Sequence, residues 1–173
     1  LDTQWYLEDW DKSPKINDNC DNIKDREKFF IELEGEIKKN QQKTLVIAMH
    51  HPMYTNGVHG GKFAIDKHLF PSQQKIPVPI LGSLVTQIRT QGGVSKQDRF
   101  NEKYNELMKR IRVLGQTHKK IVFVSGHEHG LQYIEHDEVR QIVSGSGSKS
   151  SYAYLGNDGL FSSDYEGFAK LDI

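Results

Sequence analysis

The sequence is poor in several things that commonly announce a function. It holds a single cysteine, Cys20, among 173 residues, so no disulfide can close within the chain, and cysteine usage neither demands nor excludes an oxidising compartment. Its 23 basic and 23 acidic residues cancel, which removes the bulk electrostatic signal expected of a nucleic-acid-binding protein. No apolar stretch approaches the roughly 18 residues needed to span a membrane, and the N-terminus lacks the charged, apolar and small-residue order of a signal peptide. Repeats, heptads and low-complexity tracts are also missing, so solenoids and coiled coils are excluded; the compartment stays open. What remains is an ordinary globular composition: 36% of residues are hydrophobic, and 15 glycines bring the apolar share to roughly 45%. The first residue is Leu1 and the opening Leu1–Leu7 reads as structured, so the expectation is a portion of a longer protein.

Two histidine clusters stand out, His50-His51-Pro52 and Gly126-His127-Glu128-His129. Each follows a short apolar run, Thr44–Met49 and Ile121–Ser125, β-branched enough to read as strands buried on both faces and therefore as parallel strands of an α/β sheet. Open α/β sheets bind ligands beyond the carboxyl ends of their strands, where both clusters fall. A helix is expected over about residues 23–40, opened by the capping-box-like Asn22–Asp25 and carrying Phe29, Phe30, Leu33 and Ile37 on one face. A second amphipathic segment shows Tyr104, Leu107, Ile111 and Leu114 after the N-cap candidate Ser95. Downstream, Leu131–Glu135 and Val139–Val143 suggest a hairpin, and Gly167–Ile173 a closing strand. Between His51 and Ser95 lies a proline- and glycine-punctuated loop long enough to be functional, with a short helix expected at Ile80–Thr90. Ser144–Ser148 reads as a flexible turn near the site.

Imidazole ligates zinc, iron and manganese through one ring nitrogen while a protein acceptor holds the other. In an extended segment alternate side chains share a face, so His127 and His129 are expected to point together and Glu128 away, with His50 meeting them from the neighbouring strand. His50, His127 and His129 are the candidate metal ligands, His51 and His59 the candidate catalytic groups, and His68, His118 and His136 are read as surface residues. Three imidazoles suffice for one zinc ion with an open fourth position; two cations side by side need carboxylates, and none occupies a comparable strand end.

These residues resemble the calcineurin-like metallophosphoesterase superfamily, particularly its purple acid phosphatase-like branch, in which one strand runs into His-x-Pro and a later one into Gly-His-x-His. The resemblance covers most of the chain, and Leu1–Trp5 looks like the strand that precedes the first motif. It implies that His50 and His127 bind one metal and His129 its partner. It also implies that His59, nine residues beyond His50, contacts phosphate and helps protonate the leaving group, and that Tyr54 and Asn56 shape the substrate approach, although Tyr54–Gly57 also fits an Asn-Gly turn. The family's motifs Asp-x-His, Gly-Asp-x-x-Asp and Gly-Asn-His-Asp/Glu are not found; Asp66-Lys-His68 matches the first by letters only, and Gly156-Asn-Asp158 lacks the histidine.

The expectation is therefore the carboxy-terminal half of one metallophosphoesterase domain over residues 1–173, half of an α/β β-sandwich flanked by helices, its amino-terminal metal-binding half missing. The complete domain would hydrolyse phosphate esters with two divalent or trivalent ions (Zn, Fe or Mn). The isolated chain, binding metal weakly or not at all, would be inactive. Its partners would be a phosphate ester and the missing half, with neither nucleic acid nor a membrane segment indicated. Two alternatives stand: a non-catalytic binding or assembly module, and a mononuclear zinc hydrolase.

Overall fold

The computed structural model describes residues 1–13, 15–16, 20, 22–64, 83–84, 86–88, 90 and 93–172. The expected short helix at 80–90 lies partly outside them, though Ser83, Leu84, Thr86, Gln87, Ile88 and Thr90 are helical; Asp66 and His68 fall outside.

The chain is α/β. Helix α1 (Thr3–Leu7) and α2 (Arg26–Lys39) lead into strand β1 (Leu45–Met49). Helix α3 (Glu102–Gln116) leads into β2 (Ile121–Ser125), and β3 (Leu131–His136), β4 (Val139–Ser144) and β5 (Gly159–Ser163) complete a five-stranded mixed sheet in the order β1-β2-β4-β3-β5. β1 pairs β2 in parallel from Leu45↔Ile121 to Met49↔Ser125, and β2 pairs β4 in parallel. The parallel register brings the carboxyl ends of β1 and β2 level, so His50 and His127 emerge side by side.

The β3–β4 hairpin turns through Asp137 and Glu138, both with positive φ (48° and 65°), the mirror-image turn whose twist suits paired strands. β4 folds back between β2 and β3, and the Gly126–Gly130 segment must cross its end.

The core lies on one face of the sheet. Phe29, Phe30, Leu33 and Ile37 of α2 and Tyr104, Leu107, Met108 and Ile111 of α3 pack with Ile121, Phe123, Ile134 and Val139. Tyr6 and Leu7 of α1 join them, and Phe30 meets Tyr6 and Phe29 edge-on at 5.9 and 5.1 Å. Asp9, in left-handed backbone at φ 59°, ties α1 to both long helices through Arg26 and Lys103 at 2.5 Å each; the Lys103 hydrogen bond, with help from Arg26, holds its carboxyl well below the usual range.

Several expectations give way to tertiary context. Leu1–Trp5 is no strand: Asp2 accepts from the Trp5 amide at 3.0 Å and starts α1. α2 is capped by Asp25, which accepts from Lys28 N, rather than by Asn22, and α3 by Asn101 rather than Ser95. Residues 167–172 form no strand; Gly159–Ser163 pairs with β3 instead. β1 is not buried on both faces, because the helices cover only one face of the sheet: Val46 and Ala48, on the other, are exposed. His118 is buried rather than at the surface: one ring nitrogen faces Asn40 O at 3.1 Å and the other accepts from Lys120 N, which locks the turn into β2.

Candidate metal centre

The parallel register sets His50 beside His127, and the loops complete the cluster. One ligand atom from each of His50, His51 and His127 lies within 4.8 Å of the others, a group able to hold a metal ion. The rings pack edge-on or tilted, with centroids 4.7 Å apart for His50–His51, 4.5 Å for His51–His127 and 5.0 Å for His50–His127.

The protons in this cluster follow from its acceptors. The Gln97 carbonyl lies 2.8 Å from His127 Nε2 and can only accept, so Nε2 carries the proton and Nδ1 receives the hydrogen bond from His50 Nε2 at 3.2 Å. The Gln97 side-chain nitrogen donates to Gln4 at 3.2 Å and Glu8 at 3.5 Å, which leaves its oxygen to accept from His51 Nε2 at 2.8 Å. His51 Nδ1 then accepts from the Thr3 hydroxyl at 2.7 Å, and the His51 amide donates back to that hydroxyl.

Burial keeps these rings neutral. Loss of water is the main cause at each, reinforced by the positive charge that neighbouring imidazoles would carry: His127 is pushed down to about 3, His51 to about 4, and His50 is lowered as well. A neutral imidazole is the ligating form, so the donor set suits a divalent ion. The cluster contains no carboxylate, which suits one ion better than two. An ion would take the ring lone pairs while the N–H groups keep their acceptors, as His127 Nε2 keeps Gln97 O, and binding would weaken at the low pH where the rings protonate.

His51, assigned from sequence to catalysis, is fully buried within the ligand cluster. His129 is not among the three clustered imidazoles; its carbonyl accepts from Ser151 N at 2.7 Å. The physical reason is the left-handed backbone of His127 (φ 66°), which ends the extended alternation that would have set the two rings on one side. Glu128 does point away. Fully buried, it accepts from Thr55 Oγ1 at 2.9 Å and from the His59 amide at 2.6 Å, stapling the 55–59 loop to the end of β2. A Cβ at Gly57 would stand 2.5 Å from that carboxylate, so the loop needs glycine there.

His59 reaches the site on this staple. Its ring lies 4.0 Å from that of His127, tilted by 38°, and its Nδ1 pairs with the buried Asp98 carboxylate at 2.7 Å. Tyr54 is buried under Arg99, whose guanidinium carbon lies 5.4 Å from its ring centroid. Asn56 donates from its side chain to Leu155 O at 2.8 Å and from its backbone to Gln132 Oε1 at 2.8 Å; Gly57 bridges Ala153, so the segment forms no Asn-Gly turn. Thr3, Gln97 and Asp98 were missed. They come from α1 and the approach to α3, far from either histidine motif, and carry no local signal.

No family model and no curated protein matches the chain. Among solved structures it resembles GAP50, described as the anchor in the inner membrane complex of Plasmodium, with a TM-score of 0.50 and 16% identity. At that identity the likeness concerns the fold alone. It covers 97% of this chain and 38% of that one, so the chain spans well under half the length of the protein it resembles.

Proposed function

We propose that this chain is the carboxy-terminal half of a metallophosphoesterase-type domain and supplies the imidazole side of a centre that hydrolyses phosphate esters. The observation that carries the reading is the convergence of neutral His50, His51 and His127 at the carboxyl ends of two parallel strands. A bound metal ion would supply Lewis acidity and an activated water. The protein's own part is positional: Gln97 orients His51 and His127, while Asp98 holds His59, the group suited to move a proton at a leaving oxygen. His129 is the proposed ligand of a second ion, whose carboxylates would come from outside this chain. The isolated chain is then incomplete and hydrolytically silent.

The test measures metal uptake and p-nitrophenyl phosphate turnover with zinc, manganese or iron, for this chain and for a longer polypeptide that includes the sequence preceding it. The expected result is weak, His127-dependent metal binding without turnover in the short chain, and turnover in the long one. Metal-dependent turnover by the 173 residues alone, lost in His127→Ala, would show a self-sufficient mononuclear hydrolase. Silence in both would remove the enzyme reading.

A second reading, a non-catalytic assembly module, draws on a specific observation: the rings of His51 and His127 are already satisfied by Thr3, Gln97 and His50 without an ion. The solved structure it resembles is itself described as an anchor. Stability unchanged by chelation, with no metal uptake, would favour this reading.

A further inference from the structure

We infer that a second site, outside the histidine cluster, binds the phosphate group of a phosphorylated small molecule. It is a cavity of about 220 Å3 between Tyr54 and the outer face of α3. Among the described residues its wall carries Arg99, Lys109 and Arg112 and no carboxylate, an imbalance notable in a chain whose charges otherwise cancel.

One buried hydroxyl in this wall has a proton still to donate. Tyr54 is 6% exposed, and its hydroxyl oxygen faces the Arg112 guanidinium, which also donates through Nη1 to Asp137 at 2.7 Å; among the described residues no acceptor is found for the hydroxyl proton. Buried polar atoms without partners are rare because each forfeits its hydration. Here the unmet need has one sign: a hydroxyl proton without an acceptor stands beside the Arg112 guanidinium and two further cations, Arg99 and Lys109. A tetrahedral oxyanion offers several acceptor oxygens and full charge, the geometry for which arginine is suited.

The surroundings indicate an ester rather than free phosphate. Arg99 and Asn105 also line an adjoining groove of about 750 Å3, which includes Lys62, Asn56 and Tyr154. An anion seated against Arg112 would thus leave space, across Arg99, for a polar or aromatic body.

The experiment is calorimetric titration of metal-free protein with inorganic phosphate, phenyl phosphate and acetate at matched ionic strength. Phosphate is expected to bind in preference to acetate, and phenyl phosphate more tightly than phosphate. Arg99→Gln and Arg112→Gln should each weaken binding about tenfold, as expected for a charged hydrogen bond. Tyr54→Phe, which keeps the buried ring, should weaken it severalfold, and His127→Ala should leave it unchanged. Equal binding of acetate and phosphate, or unchanged affinity in Arg99→Gln and in folded Tyr54→Phe, overturns the site. Loss of phosphate binding in His127→Ala overturns it too, by moving the anion to the imidazoles, whereas the metal and turnover assays above judge that other centre separately.

Discussion

Acidification should destabilise the metal-free protein through the very histidines that cluster at the strand ends. Unfolded, His127 and His51 titrate at the ordinary 6.5; folded, burial and neighbouring imidazoles push them to about 3 and about 4. Below pH 6.5 the unfolded chain therefore binds more protons than the folded one, and stability falls with pH at ~1.4 kcal/mol per unit for each ring until the folded value is reached. From pH 7 to 5 that amounts to about 2 kcal/mol per ring; residual solvent at His127 and screening reduce the pair to about 3 kcal/mol. Asp9 does not intrude, since a depressed carboxylate contributes its stability above the usual carboxylate range and loses it only at lower pH. Urea unfolding at pH 7, 6 and 5 in the presence of a chelator reads the effect as a midpoint about 1.5 M lower at pH 5, for a slope of about 2 kcal/mol per molar. His127→Gln, which removes one titrating ring, should roughly halve the loss. A midpoint independent of pH over this range, or an undiminished loss in His127→Gln, would refute the reasoning.

Other expectations follow from single contacts. Gln141→Leu should cost about 3 kcal/mol in chemical unfolding, because the buried Gln141 amide accepts from the Met53 and Tyr54 N–H groups and donates to Tyr54 O, and leucine orphans all three. Tyr104→Phe should lose about 1–2 kcal/mol by stripping the buried Pro52 carbonyl of its 2.6 Å partner, measured the same way. Phe123→Ala, which empties the centre of the covered sheet face, should cost about 3–5 kcal/mol in thermal or urea unfolding. Val46→Lys, on the exposed face of the edge strand β1, should reduce self-association in sedimentation without lowering stability, since a charge on an open edge opposes strand addition.

Much of this arrangement was legible because it is written in local periodicity. The apolar runs before His50 and His127 are strands, they pair in parallel, and the apolar faces of α2 and α3 are the ones buried. The positions that misled were those where neighbours in space overrode neighbours in sequence. Ser95 and Asn22 are adequate caps, but packing placed the helix starts at Asn101 and Asp25, and the extended pattern of Gly126–His129 is broken by one left-handed residue, His127. β1 looked doubly buried because its composition is apolar, yet the helices pack on one face of the sheet only and leave Val46 exposed on the other.

By itself, then, the sequence determined the α/β class, the strands that end at the two histidine motifs, and the imidazole character of the candidate centre. Those follow from side-chain periodicity and ligand chemistry, which act over a few residues. Only the tertiary structure decided that His51 joins His50 and His127 in one cluster, that Gln97 and Asp98 orient the rings, and that Lys109 and Arg112 of α3 stand with Arg99 around Tyr54. Such contacts join residues tens of positions apart, as Thr3 meets His51 and Gln97 meets His127, and they exist only once the chain has closed.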